Sequence, residues 1–280
     1  MRASEFLTAN AGKGLSVWES AAVKLSQSGR EQNYVPLTYF PVDVTTRDGK
    51  HTGQIFVAND YLALGSPTDA DYLRLPLTPI SAQRIVDAHG ALLPTSKMVD
   101  DIWKASTIKL FPVPLVPNKG ANLAQYQEHS KAIDEQLRAL YPQLVSPITG
   151  IPANAGRNAL VSGQKKDIIL SNIWKPGKVV IYGWHRPDGT RIQPKSNIHG
   201  DFYVDYSHGI RLVSPDMMVD GKPMKTTDVM QSKELSSLVS DEGPLKQVRY
   251  PGSVQPLSYY QVGTNILLAF GSNAITRKSA

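Results

Sequence analysis

The chain contains no cysteine among its 280 residues. Disulfide bonds, a thiolate nucleophile and cysteine-bound zinc or iron–sulfur sites are therefore excluded. Long apolar runs are missing too, because none approaches the ~18 residues that a membrane-spanning helix needs. The first 25 residues lack the basic start and unbroken apolar stretch of a secretory signal. We therefore expect a soluble protein with no membrane span, and the compartment stays open between the cytoplasm and release without a classical signal.

Charge is scarce overall, at 19% of residues against 41% apolar ones, which excludes a wholly disordered chain. The net charge is +6, and the window 164–195 holds most of that surplus, with seven basic and two acidic residues. A concentrated positive field favours an anionic substrate or polymer as partner. The same residues could instead form a solvated basic face. No run of aromatics is interleaved with them, so stacking on single strands is not specifically indicated, and nucleic acid stays open as a partner.

The pattern of elements changes along the chain. Helical signals cover 4–27, 78–90, 95–110 and 121–141, and Asp48-Gly49 joins the strand-like runs 42–46 and 54–57 as a hairpin. After 142–158, which is rich in Pro, Gly, Asn and Ser, strands are expected at 168–170, 179–182 and 202–213, a helix at 228–240 and an apolar run at 265–270. This order predicts an α+β fold, a helical N-terminal half packed against a strand-rich half with an antiparallel sheet. We expect one unit over 1–280, or two lobes over 1–142 and 158–280, with the site in the second.

Three of the six histidines, His185, His199 and His208, lie within 24 residues. The imidazole is the side chain whose pKa lies nearest neutrality, so this group suits acid–base chemistry. Each one could equally be a hydrogen-bonded structural histidine. Together with the basic window, they indicate a functional site within 165–211.

A divalent metal such as zinc is one reading of this stretch, although no cofactor is favoured. His199, Asp205 and His208 are of the right type to hold zinc, and their arrangement loosely resembles the His…Asp pair of zinc D-Ala-D-Ala-type peptidases. The spacing departs from that pattern, and no His-x-His follows. In a regular strand over 202–213, Asp205 and His208 would also point to opposite faces unless a bulge at Gly209 turned one of them.

A serine nucleophile is the second reading. Ser207 shares a strand face with Asp205 and would need His185 or His199 as its base, but no Gly-x-Ser-x-Gly elbow is present. Ser162-Gly163-Gln164-Lys165 fits the Ser-x-x-Lys pattern of penicillin-recognising enzymes, without the Lys-Thr-Gly that accompanies it there. The third reading is metal-free catalysis by two histidines and a lysine, which would suit a phosphodiester.

The residues favour a hydrolase that acts on an anionic polymer or peptide, with bacterial cell-wall material as the most economical substrate. The expected catalytic residues are His185, His199, Asp205, Ser207 and His208; the anion-binding residues are Lys165, Lys166, Arg186 and Arg211; and Trp184 and Tyr203 would wall the cleft. Two alternatives stay open. One is a non-catalytic binding or structural protein with a basic contact face, and the other is a metal-free His/Lys phosphodiesterase.

Overall fold

The computed structural model describes residues 1–66, 71–116, 122–144 and 159–251. The helices are α1 (Ala3–Asn10), α2 (Leu15–Asn33), α3 (Pro79–Ala88), α4 (Ser96–Ala105), α5 (Leu123–Leu140) and α6 (Thr226–Gln231), with 3-10 turns at Pro142–Leu144 and Ser236–Leu238. The strands are β1 (Tyr39–Thr45), β2 (Thr52–Ala58), β3 (Leu64–Ser66), β4 (Asp71–Leu73), β5 (Ile108–Lys109), β6 (Val161–Ser162), β7 (Lys166–Ile168), β8 (Ile181–His185), β9 (Arg191–Ser196), β10 (His208–Gly209), β11 (Asp216–Val219) and β12 (Lys222–Lys225). The fold is α+β, with helices mostly in the first half and strands mostly in the second, as predicted.

Local capping explains where the helices begin. The hydroxyl of Thr95 accepts from the backbone N–H of Met98 at the start of α4, and the side chain of Asn122 accepts from two backbone N–H groups at the start of α5. Pro79 opens α3, where its missing N–H costs no helical hydrogen bond. The hairpin around Asp48-Gly49 is confirmed as the β1–β2 pair.

Three predicted helices differ from the structure. The helix expected over 4–27 is two helices, because the chain leaves helical geometry at residues 11–14, where Gly12 has a φ of 71°. The helix expected over 95–110 ends at Ala105, and residues 108–109 pair as a strand with β6. The helix expected over 228–240 is only the short α6, followed by a 3-10 turn.

Two four-stranded sheets carry most of the strands. The order β1-β2-β11-β12 is antiparallel throughout and joins strands from both halves of the sequence. The order β10-β7-β8-β9 is antiparallel except for β7 and β10, which run parallel. Proline lies in edge strands of both sheets, namely Pro41 in β1, Pro223 in β12 and Pro194 in β9. A proline has no N–H to donate, which hinders the addition of a further strand.

One apolar core includes residues from Phe6 and Trp18 in the first helices to Tyr250 near the end of the described chain. Both large sheets contribute to it, β2 through Ile55 and β8 through Ile181. In the described ranges, no helix is long and apolar enough to cross a membrane. Residues 145–158 of the expected boundary and the apolar run 265–270 lie outside the described residues.

The strand expected over 202–213 is the main error of the sequence-based prediction. Only His208 and Gly209 are in a strand there, and residues 201–207 form turns and loop. The backbone N–H of His208 donates to the carbonyl of Asp205 at 3.2 Å, as in a turn. The alternation of strand faces therefore does not apply, and it cannot separate Asp205 from His208.

Candidate functional site

The pairing of β7 with β10 assembles the site. Lys166 is opposite His208 in this parallel pair, and its backbone N–H donates to the carbonyl of Ser207 at 2.9 Å. Its Nζ atom donates to Oδ2 of Asp205 at 2.7 Å. The lysine side chain is 8% exposed and the aspartate side chain 24%. The ion pair is therefore mostly withdrawn from water, with the carboxylate nearer to the surface.

Asp205 is the acceptor at the centre of this cluster. Besides Lys166, it accepts from the hydroxyl of Tyr203 at 2.8 Å and from the hydroxyl and backbone N–H of Ser207 at 2.6 Å and 2.9 Å. Burial alone would raise the pKa of Asp205. The positive charges of His208, when it is protonated, and of Lys166 outweigh burial, and with the hydrogen bonds they hold that pKa well below its usual value. Asp205 is therefore ionised at neutral pH.

His208 is completely buried, and neither of its ring nitrogens has a hydrogen-bond partner among the described residues. Burial lowers the pKa of His208 to about 3, with the charges of Lys166 and Lys165 acting in the same direction and Asp205 opposing them. The imidazole is therefore neutral at pH 7. Buried polar atoms without partners are few in native proteins, so this ring calls for a functional explanation.

His199 lies at the surface end of the cluster. Its ring stacks on that of Tyr203, with a centroid distance of 3.8 Å and an interplanar angle of 9°. Tyr203 in turn meets His208 edge-on at 5.6 Å. His199 is only partly buried, and burial followed by the charge of Lys166 lowers its pKa. A neutral imidazole at the surface, beside an ion pair, can accept a proton from a substrate or from water.

Trp184 backs the site from β8 and does not form an open wall. It is buried and has a φ of 56°, which is unusual for a residue other than glycine, and β8 has an irregular register against β9 near it. Its indole N–H donates to the carbonyl of Gln164 at 3.1 Å, and its ring lies 6.0 Å from Nζ of Lys166. Strained backbone is concentrated at functional sites, so this conformation supports the location of the site.

Lys165 points away from Asp205 into a separate buried environment. Its Nζ atom donates to the carbonyl of Tyr206 at 2.9 Å and lies 3.4 Å from Nδ1 of His129. Burial, with the charge of Arg74, lowers the pKa of Lys165 to about 7. Burial and the charge of Lys165 lower that of His129 to about 2. His129 was not predicted as a site residue, because a lone histidine in a helical pattern gives no signal of a partner so distant in sequence.

His185 belongs to a different cluster. Its Nε2 atom is 2.9 Å from Oδ1 of Asp100, its ring stacks on Trp103, and Arg191 and the hydroxyl of Tyr182 also bind Asp100. In the described structure none of these contacts is with His199, Asp205 or His208. The structure thus brings two of the three predicted histidines together and places the third in a hydrogen-bonded structural setting.

The basic window does not form one surface face. Two of its seven basic residues, Lys165 and Lys166, are buried, and two, Lys175 and Arg186, are exposed. The other three have partners in the fold: Arg191 binds Asp100, Lys195 binds Asp241 and Glu242, and Lys178 donates to the carbonyl of Ile198. Arg211 is also buried, where it donates to the carbonyls of Ala58 and Val161 and covers the ring of Tyr61 at 4.0 Å. Of the predicted anion-binding residues, Lys166 alone is joined to the Asp205 cluster by a side-chain contact.

The two candidate serines are not arranged as nucleophiles with a base. Ser207 is 1% exposed, and its hydroxyl donates to Asp205. Ser162 is buried without a hydrogen-bond partner in the described chain, and its Ser-x-x-Lys partner Lys165 instead contacts Tyr206 and His129. Ser207 is best understood as a residue that positions the carboxylate of Asp205.

No three histidine, aspartate or glutamate side chains in the described ranges are arranged to hold a metal ion. Ligation of zinc by His199, Asp205 and His208 therefore stays a prediction. Comparisons with protein-family models, curated proteins and solved structures found no match to this chain. The chemistry of the site is therefore inferred from its own side chains.

Proposed function

We propose that the protein is a hydrolase that cleaves an anionic polymer or peptide at the cluster around Asp205. The observation that carries the proposal is that Tyr203 joins a partly exposed neutral histidine to the shielded Lys166–Asp205 ion pair, since its ring stacks on His199 and its hydroxyl donates to Asp205. General-base catalysis needs an accessible group that is unprotonated at the working pH, and His199 meets both conditions. Bacterial cell-wall material stays the most economical substrate.

Each residue has a distinct role in this mechanism. His199 takes a proton from a water molecule as the water oxygen attacks the electrophilic carbon or phosphorus of the substrate. Lys166 stabilises the negative charge that develops on the substrate oxygen, and Asp205 keeps its ammonium group in place. The proton on His199 then passes to the leaving group as the scissile bond breaks. Tyr203 supports the ring of His199, and the buried, neutral ring of His208 packs edge-on behind Tyr203 without taking part in proton transfer.

Water is favoured over Ser207 as the nucleophile because the serine hydroxyl is buried and already donates to Asp205. The contact-face alternative is less well supported, because most of the basic window has partners inside the fold. The metal-free phosphodiesterase uses the same residues and differs only in the substrate.

The test measures the release of soluble dye from dye-labelled peptidoglycan sacculi, with bis(p-nitrophenyl) phosphate as a parallel substrate. We expect His199→Gln to lower the rate by about 100-fold or more, the usual contribution of a general base, with an unchanged unfolding midpoint. His51→Gln is the matched control, because this imidazole pairs with Asp220 outside the site. Cleavage of the phosphodiester alone would assign the second substrate class. No cleavage of either, or equal rates for wild type and His199→Gln, would refute the proposal.

A further inference from the structure

Two surface loops beside the site are joined into one unit. Residues 171–178 and 197–203 are linked by hydrogen bonds from Nδ2 of Asn197 to the carbonyl of Ile173, from Nζ of Lys178 to the carbonyl of Ile198, and from the N–H of Asp201 to the carbonyl of Gly177. We call residues 171–178 and 197–203 the paired loops. Because the links involve the backbone, the side chains of Ile173 and Ile198 are left free to face outwards.

The paired loops expose large apolar side chains. Phe202 is 81% exposed and Ile198 is 77% exposed, and the nearby Ile173 is 38% exposed. Nothing in the described part of the chain covers the first two. Single exposed apolar residues are ordinary on a protein surface, but an aromatic and an aliphatic side chain four residues apart, both more than three-quarters exposed, make these loops a candidate interaction surface.

Positive charge borders these apolar side chains. Lys175 is exposed and Lys178 half-buried in the first loop, and the exposed Lys246 is tied to it, since its backbone N–H donates to Oδ1 of Asn172 at 2.9 Å. Counted in the same way, the acidic residues are Asp201 within the paired loops and Glu242, which accepts from Ser171 and Asn172 and also pairs with Lys195. The surface therefore combines protruding apolar groups with a net positive border.

We propose that the paired loops bind the surface of an anionic lipid bilayer. Phe202 and Ile198 would enter the boundary between headgroups and acyl chains, while Lys175, Lys178 and Lys246 would lie among the negative headgroups. This surface does not depend on the neighbouring site being catalytic. His199 and Tyr203 belong to the same loops, so docking would also bring that site to molecules held at the membrane surface.

A bilayer fits this surface better than a protein partner. A stable protein interface buries about 800 Å² on each side, whereas a buried aromatic side chain supplies about 150–250 Å². The paired loops offer one strongly exposed aromatic, Phe202, and two isoleucines, while Trp174 and Tyr203 are partly buried, so the exposed apolar area is too small for a stable protein interface. An anionic polymer in water would account for the lysines, and its rings can stack on Phe202, but it would give no role to the exposed aliphatic side chain of Ile198.

The experiment is sedimentation of the whole protein with vesicles of phosphatidylcholine alone, or of phosphatidylcholine mixed with phosphatidylglycerol. We expect binding to the anionic vesicles only. Phe202→Ser should weaken it about tenfold or more through the lost apolar transfer. Lys175→Gln combined with Lys246→Gln should weaken it about 25-fold, since each lysine near an anionic surface contributes about fivefold. Both changes are at exposed positions, so an unchanged thermal midpoint is expected.

Matched controls separate this surface from general stickiness or charge. Phe111→Ser removes an aromatic side chain that is 52% exposed elsewhere, and Lys13→Gln combined with Lys222→Gln removes two exposed charges elsewhere. These variants should bind like wild type. The proposal is overturned if the protein does not sediment with anionic vesicles, if Phe202→Ser binds as wild type does, or if the controls weaken binding equally. Binding to peptidoglycan sacculi but not to vesicles would also overturn it, in favour of a polymer.

Discussion

The ion pair between Lys166 and Asp205 gives the most direct test of how the site is held together. Replacing Asp205 by asparagine keeps the shape of the side chain but leaves the Lys166 ammonium, which is 8% exposed, without its counter-charge. Replacing Lys166 by methionine removes the ammonium and leaves Asp205 with its bonds from Tyr203 and Ser207. The first change should therefore destabilise the protein more than the second.

The magnitude follows from burial and distance. Removing one partner of a fully buried pair costs about 3–5 kcal/mol, because the other charge is left unpaired in a poorly hydrated place. In Lys166→Met the remaining charge is on Asp205, which is 24% exposed and partly solvated; in Asp205→Asn it is on Lys166, which is 8% exposed and keeps only the amide oxygen of the asparagine as acceptor. We expect a loss of about 2–3 kcal/mol in the free energy of unfolding for Asp205→Asn and about 1–2 kcal/mol for Lys166→Met. The double variant should lose clearly less than the sum of the two, which gives a coupling of about 1–2 kcal/mol.

The assay is urea unfolding at pH 7 for wild type, both single variants and the double variant. The pair Lys225–Asp216 is the control, since its nitrogen–oxygen distance is 2.6 Å but its side chains are 51% and 39% exposed. The same cycle on this pair should give no more than about 0.5 kcal/mol. A coupling for Lys166 and Asp205 as small as that of the surface pair would refute the view that the ion pair is shielded.

The pH dependence of the free energy of unfolding gives a second test of the same ion pair. The pKa of Asp205 is depressed in the folded protein, so its stabilising contribution is complete above the pKa of an unfolded aspartate, about 3.9. That contribution is lost as the pH falls from there towards the folded pKa. The difference between wild type and Asp205→Asn should therefore be constant from pH 7 to about pH 5 and shrink below about pH 4. A difference that grows at low pH would contradict the depressed pKa.

Two further variants separate structure from function. His208→Leu should change the free energy of unfolding at pH 7 by less than about 1 kcal/mol, because neither ring nitrogen has a hydrogen bond to lose in the described structure. Below pH 6.5 wild type should lose about 1.4 kcal/mol of unfolding free energy per pH unit that His208→Leu does not lose. The cause is that the imidazole takes up a proton in the unfolded chain but stays neutral in the folded one, where its pKa is about 3. Urea unfolding curves from pH 7 to pH 4 measure the difference. Asp100→Asn should lower the free energy of unfolding by about 1–2 kcal/mol, because it weakens the bonds to His185 and Arg191. The release of dye from sacculi should not change. A large loss of activity in a variant that is still fully folded would return His185 to the catalytic residues.

Local signals in the sequence were sufficient for several elements of the fold. The helix start at Thr95, the proline that opens α3 and the hairpin at Asp48-Gly49 each depend on hydrogen bonds or dihedral limits within a few residues. The change from helices to strands identified the fold class for the same reason. Lys166, His199, Asp205 and His208, which the structure brings together, all lie within 165–211, where a site was expected, and their function stays a prediction.

The partners of the site residues depend on pairing between distant segments, which periodicity does not reveal. His208 meets Lys166 only because β10 pairs with β7, and Lys165 meets His129 only because the His129 ring of α5 lies beside the rings of Trp184 and Tyr206. Residues adjacent in sequence were likewise separated, since Trp184 backs the Asp205 cluster while His185 contacts Asp100. Charge counted along the sequence overestimated the basic surface for a similar reason, because most of those charges have partners inside the fold.

The wrong prediction of a strand over 202–213 overlooked a local signal in the sequence. Asp205 and Ser207 are spaced for a turn in which the aspartate carboxylate accepts the backbone N–H two residues later, and the structure has that bond at 2.9 Å. Such a turn competes with strand formation, since it satisfies the backbone N–H within the loop. It also returns His208 towards Asp205, where a strand would have turned it away. The same short turn therefore ends the predicted strand and creates the geometry on which the proposed chemistry depends.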